Sequence, residues 1–257
     1  MNNRNTLRHY ADLVIVLFVK EMRVRYKSTA LGYWWSILHP LAFVLVFFIA
    51  FRVVMRIQME AYPLFLIVGL FPWQWFANSV GASPLIFLGN ASVIKKVKFP
   101  RNIMPLAVVL QDMVHFLLSL PVIAGVMFWY GKSPFLSWLY GIPVLLAAQF
   151  FITYGIALVV SSLNLFFRDL ERLTTIAVTL LFYLTPVVYS EAMVPEQYRS
   201  LIYLNPLAPL MISWRTLLLN GVLDPRLLAA SMAYSLLFFA LGTAVYGRLS
   251  WKFGEVV

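Results

Sequence analysis

Residues 61–101 read AYPLFLIVGLFPWQWFANSVGASPLIFLGNASVIKKVKFPR, and they decide the class of fold. From Ala61 to Ile94 run 34 residues without a formal charge, and then Lys95, Lys96, Lys98 and Arg101 follow in quick succession. About 20 apolar residues at ~1.5 Å each cross the ~30 Å of hydrocarbon in a bilayer, and a basic cluster at the end of such a run marks its cytoplasmic side. Pro63, Pro72 and Pro84 interrupt the stretch, so the helix expected over 62–90 is kinked or preceded by an interfacial turn.

The pattern repeats in both directions. Towards the N-terminus, Ala30 to Phe51 gives 22 uncharged residues, a first span over 30–55. Before it, Tyr10, Leu13, Val14, Leu17 and Phe18 recur at helical spacing and lead into Lys20, Arg23, Arg25 and Lys27, which predicts an amphipathic helix on a membrane face over 7–29. Towards the C-terminus, further spans are expected over 103–130, 139–166, 173–190 and 227–247, with Pro186 near the far end of the fifth. Between the last two, the uncharged piece Leu201 to Trp214 has only 14 residues and contains Pro206 and Pro209. It is too short to cross and suits a re-entrant helix pair over 195–221. The expected architecture is an all-α integral membrane protein, one domain over 1–257 with six spans.

Composition agrees. Of 257 residues 62% are hydrophobic and 12% charged, where soluble domains carry about 25% charged residues. The net charge of +10 gathers at the ends of apolar runs, so it reads as topology and headgroup contact, with no nucleic-acid partner expected. With the N-terminus inside, inner segments hold 14 Lys and Arg and outer segments hold 6, which predicts both termini in the cytoplasm. Cysteine is absent, which excludes disulfides and thiolate chemistry. Met1 to Tyr10 lacks the apolar core of a cleaved signal peptide.

Catalytic patterns are missing from the sequence. Gly131, Lys132 and Ser133 imitate the end of a phosphate-binding loop, but the glycine needed five residues earlier is Val126. His9, His39 and His115 lie on different segments, so no local metal spacing arises, and no Gly-x-Ser-x-Gly elbow occurs. No metal and no cofactor is expected in this chain. Asp112 and His115 share one face of the third span; they read as a hydrogen-bonded packing pair or, more sharply, as a proton relay.

Three sets of residues suggest transport instead. Phe43, Phe47 and Phe51 form an i, i+4, i+8 stripe on the first span, and Phe182, Tyr183 and Tyr189 on the fifth would supply an opposing aromatic wall. Lys95, Lys96, Lys98, Phe99 and Arg101 pair charge with apolar residues, as a docking surface for a cytoplasmic partner would. Phe167, Arg168 and Asp169 sit in a second cytoplasmic loop that mixes both signs of charge with exposed aromatics.

Specific stretches also look familiar. Lys20 to Lys27 followed by Ser28, Leu31, Gly32, Trp34 and Trp35, then Gly69 to Trp73, Asn164 to Leu170, Thr185 to Tyr189, and Asn205 with Pro206, together resemble polysaccharide ABC exporter permeases of the type-2 fold. The resemblance implies a half-transporter: a homodimer with a channel between the copies, exporting a lipid-linked O-antigen, capsular or related glycan across the bacterial inner membrane. It implies two copies of a separate ATPase subunit that hold the ATP and Mg. Lys95 to Arg101 and Phe167 to Asp169 would couple to that subunit, the helices of 195–221 would form an outer gate, and Arg23, Arg25 and Lys27 would meet the lipid linker. A type-2 exporter of a small lipid or drug is the alternative, followed by a membrane glycosyl- or acyltransferase or a proton-coupled carrier built on Asp112.

Overall fold

The computed structural model describes residues 3–26, 32–54, 56, 61–96 and 99–256. The side chains of Arg25, Phe51 and Lys96, and residues Lys27 and Lys98 as a whole, lie outside the described residues. All described regular structure is helical. Helix α1 spans Asn3–Tyr26, α2 Trp35–Phe47, α3 Tyr62–Ala82, α4 Ile103–Trp129, α5 Trp138–Asn164, α6 Leu170–Leu184, α7 Glu196–Ile202, α8 Ala208–Asn220 and α9 Pro225–Leu249. Helix α2 continues without a break into a π-helical segment, Phe48–Val54.

Four helical stretches among the described residues are long and apolar enough to cross a membrane: Tyr62–Gly89, Ile103–Trp129, Trp138–Asn164 and Pro225–Lys252. The stretches expected as first and fifth spans are shorter. Helix α6 ends at Leu184, ahead of the expected limit at Ser190, because Thr185 is extended with φ −94° and ψ 137°. A residue preceding proline is pushed out of the α region, and Pro186 follows. The chain of glycine, lysine and serine at 131–133 is the turn that ends α4: Gly131 has φ +69°, and the Lys132 amide donates to the Met127 carbonyl at 2.9 Å.

Helix α3 runs through the centre. Its residues from Leu64 to Trp73 are buried in an unbroken run, so no polar face is needed, and none is present. Around it pack α4, α5, α6 and α8, joined in one apolar cluster that includes Phe116, Ile152, Val187 and Trp214. Helix α9 lies outside this layer and pairs with α5 in the most extensive helix contact of the molecule. Apolar packing drives no association in lipid, so close backbone approach and interhelical hydrogen bonds must hold such a pair. Both are present. Gly155 of α5 meets the Phe238 and Gly242 backbone of α9, and the Ser235 hydroxyl donates to the Ala148 carbonyl at 2.8 Å. The opposite face of α9 exposes Leu236, Leu237 and Leu241, as a lipid-facing surface would.

Candidate functional site

Three regions carry the residues singled out above. The first is an aromatic seam. Phe43 and Phe47 lie one turn apart on α2 with ring centroids 6.3 Å apart, and Phe47 meets Phe182 of α6 at 5.8 Å. Phe182 continues to Tyr183 at 5.3 Å and to Trp73 of α3 at 5.6 Å. Within one chain Phe43 and Phe47 of the first set and Phe182 and Tyr183 of the second therefore join in a single seam. Phe43 and Tyr183 are the exposed ends of this seam, at 43% and 64%. Tyr189 is not part of it; it lies beyond the Thr185 break, half-buried.

The second region is cytoplasmic in the reading above and joins both charged loops. Ile86, Phe87, Ile94, Met104, Leu165 and Phe253 make one buried cluster, with Phe99 and Phe166 packed on its rim. Asn164, the last residue of α5, donates to the Pro84 carbonyl at 2.8 Å, which ties the end of α5 to the end of the Tyr62–Gly89 stretch. Lys95, Phe167, Arg168 and Asp169 are exposed around this cluster. Arg101 is not freely presented: its guanidinium donates to the Ser250 carbonyl at 2.9 Å and lies 5.9 Å from the Phe253 ring. Next to it Asn102 collects hydrogen bonds from α1, α5 and α9. The Tyr10 hydroxyl donates to its side chain at 3.3 Å, the Tyr154 hydroxyl to its carbonyl at 3.2 Å, and its amide to the Tyr246 hydroxyl at 3.0 Å. Arg23 stands exposed on α1.

The third region lies where α6, α7 and α8 meet. The segment Thr185 to Val188 is buried although it is not helical, so its carbonyls need partners inside the protein. Asn205 donates to the Thr185 hydroxyl at 2.7 Å, and the Tyr62 hydroxyl donates to the Val188 carbonyl at 2.9 Å. Arg215 of α8 supplies the rest, donating to Pro186 and Val187 carbonyls at 2.6 and 2.7 Å. Nearer the exposed edge the Tyr203 hydroxyl donates to Glu191 at 2.9 Å. Burial first, and that hydrogen bond second, raise the Tyr203 pKa, which keeps the phenol a donor.

The profile of the ABC-2 type transporter family matches residues 12–219, from within α1 to the end of α8. The chain belongs to the ABC-2 type transporter family. It is 44% identical to the O-antigen export system permease protein RfbA of Klebsiella pneumoniae over 98% of this chain and 97% of that protein. It is 32% identical to the protein of the same name from Myxococcus xanthus, again over 98% and 97%. The polysialic acid transport protein KpsM of Escherichia coli is 26% identical over 91% of this chain and 92% of its own length. This ABC-2 chain is a multi-pass membrane protein with a permease's relatives, and its sequence lacks the phosphate-binding loop of an ATPase.

Two buried polar groups tie the helices of this ABC-2 chain together. Asp112 is 2% exposed and accepts a hydrogen bond from the Ser79 hydroxyl of α3 at 2.9 Å, so it joins α4 to the central helix. His115 is buried one turn further on, beside Phe116, whose ring stacks on Trp75 at 5.7 Å. Gln149, fully buried, donates to the Pro72 carbonyl at 2.6 Å and accepts from the Trp214 indole at 2.5 Å. It links α3 at Pro72 to α8. Among the described residues no group of three or more His, Cys, Asp or Glu is placed to hold a metal.

Proposed function

We propose that this chain is the transmembrane subunit of an exporter that moves a lipid-linked polysaccharide, of O-antigen or capsule type, across the bacterial inner membrane. The observation that carries this reading is the near full-length similarity to O-antigen export permeases at 44% and 32% identity. The loop cluster supports a division of labour. Lys95, Phe167, Arg168 and Asp169 stand exposed on one rigid cytoplasmic platform, a surface suited to a separate ATPase subunit that holds ATP and Mg. Arg101, tied to Ser250, contributes by holding that platform's shape. Both termini face the cytoplasm, and α2 with Phe48–Val54 and α6 complete six crossings.

Two copies make the path. The Phe43–Phe47–Phe182–Tyr183 seam is one wall, and a second copy supplies the wall opposite. Aromatic faces there hold sugar rings by many weak contacts, so the polymer slides. Arg23, with Arg25 and Lys27 beyond it, attracts the phosphate-bearing lipid linker electrostatically.

The decisive test is to purify the tagged chain from its own membranes in mild detergent and identify what accompanies it. A stoichiometric P-loop subunit with ATP hydrolysis, and loss of long glycan from the cell surface on deletion, is the expected result; the chain alone, inactive with ATP, overturns the reading. Two variants test its parts. Replacing Phe47 and Phe51 by alanine is expected to lower surface glycan about three- to tenfold while the ATPase still copurifies. Unchanged export would remove the stripe from the path. Reversing Lys95, Lys96 and Lys98 to glutamate is expected to cut recovery of the ATPase subunit about tenfold, an effect that weakens further at high salt. Full recovery would leave those lysines a purely topological role.

A further inference from the structure

Arg215 is the least expected residue of the fold. It is 8% exposed in an apolar bundle, and among the described residues no carboxylate lies within ion-pair distance of it. Burying a guanidinium is costly unless its donors are used; here Nη1 and Nη2 are aimed at backbone carbonyls, while the buried Nε has no partner among the described residues. Nη2 reaches the Pro186 and Val187 carbonyls at 2.6 and 2.7 Å, and Nη1 lies 3.4 Å from the Tyr189 carbonyl. The guanidinium plane sits 3.9 Å from the centroid of the Phe65 ring of α3. Gly69, one turn beyond Phe65, makes room: a Cβ there would lie 2.7 Å from the Val187 carbonyl oxygen and 3.0 Å from Nη2.

Arg215 thus adds a charged tie at a junction that Tyr62 of α3 and Asn205 also reach, through the Val188 carbonyl at 2.9 Å and the Thr185 hydroxyl at 2.7 Å. Helix α6 is an unbroken rod from the exposed Arg168–Asp169 loop to Leu184, so a push on that loop arrives at the Thr185–Tyr189 turn. Helix α8 grips that turn through Arg215, and α3 offers the ring and the gap against which the grip is seated. Fixed donors in a planar fork can hold several carbonyls at once, which a single ammonium on a flexible stem cannot do in the same geometry.

We propose that Arg215 is a positioning residue that latches the outer helix pair α7–α8 to the end of α6, so that the outer helices follow α6 and the motion started by ATP reaches the far side of the membrane. The proposal rests on the export reading above, but one of its readouts is independent of cargo. The chain has no cysteine, so Val188→Cys places a unique thiol on the latched turn, where the native side chain is 5% exposed.

The experiment is done on the full transporter with its ATPase, in cells and after purification. It compares Arg215→Met and Arg215→Lys for ATP hydrolysis, surface glycan, and the rate at which the Val188→Cys thiol reacts with a membrane-impermeant maleimide. For Arg215→Met, thiol labelling is expected to rise about tenfold or more and surface glycan to fall about tenfold, with ATP hydrolysis within about twofold of the parent. Arg215→Lys is expected to lie between, since it keeps the charge and loses the fork. If Arg215→Met is not recovered from membranes, Arg215→Lys decides by the same two signs. A thiol still protected in a variant that exports normally overturns the latch. A thiol still protected in a variant that loses ATP hydrolysis and export together overturns it too, since the lesion is then in assembly. Raised labelling with parental export keeps the contact but rejects its role in transport, and so also overturns the proposal.

Discussion

Leucine in place of Gly155 is expected to abolish assembly of the bundle. A Cβ at this position overlaps the Phe238 carbonyl and comes within 2.6 Å of the Phe239 amide nitrogen, and all of these are backbone atoms of α9. The opposing position is as tight, since a Cβ on Gly242 would run into the Gly155 carbonyl. No rotamer of the new side chain relieves a collision with backbone, so α5 and α9 have to separate along the face where they are most closely joined. That face also carries the hydrogen bond from Ser235 to the Ala148 carbonyl, which separation breaks. Overpacking a core by a side chain that can adjust costs about 1–3 kcal/mol, and this case exceeds that range because nothing can adjust. The check is fluorescence-detected size exclusion of the solubilised variant, with thermal unfolding of whatever remains folded. Gly247→Leu is the control, because nothing lies within 4 Å of a Cβ there. A monodisperse Gly155→Leu protein with the control's thermal midpoint would show that α5 and α9 do not cross at this glycine.

How far the sequence predicted the fold depends on the kind of information involved. The stretches marked off by charge and hydropathy at 103–130 and 227–247 overlap helices Ile103–Trp129 and Pro225–Leu249, the latter starting two residues earlier, where Asp224 accepts the Arg226 amide at 2.7 Å as a helix cap. Two short helices, Glu196–Ile202 and Ala208–Asn220, lie within the 195–221 range that the short, proline-bearing piece Leu201–Trp214 pointed to. The early end of α6 is different in kind. Hydropathy alone runs on to Ser190, and only the backbone restriction imposed by Pro186 on Thr185 stops the helix.

Long-range polar contacts were not legible at all. Counting Lys and Arg treats each one as a mark of aqueous loops, which placed Arg215 among six outer charges; it is buried, so the outer count drops from 6 to 5 against 14 inside. A lone cation between two apolar pieces, Leu201–Trp214 and Leu217–Leu219, is the signal that marks it, since such a residue is expensive in a membrane without a task. The spacing of the aromatic residues along two separate helices held no record of whether they face or touch. That depends on how α2 and α6 pack on α3, with Trp73 against Phe182 at 5.6 Å.

Gln149 offers the other large effect. Its amide is fully used: the NH2 serves the Pro72 carbonyl at 2.6 Å and the oxygen serves the Trp214 indole at 2.5 Å. Gln149→Leu keeps the volume but leaves the Trp214 N–H buried without an acceptor, at a cost of about 1–3 kcal/mol for the orphaned donor. The expected result is a clearly lowered thermal midpoint, with export reduced because α8 is no longer tied to α3 at Pro72. Trp214→Phe alone leaves the Gln149 oxygen buried without its donor and opens space where the indole stood, while the Gln149 NH2 keeps its bond to Pro72. The double variant separates hydrogen bonding from packing. If the orphaned indole is the cause, Gln149→Leu with Trp214→Phe is more stable than the sum of the single losses, with a coupling of about 1 kcal/mol, near the range measured for hydrogen bonds between membrane helices. Strict additivity would mean that the two side chains act separately, and that α8 is held to the core by Arg215 and apolar packing without this link.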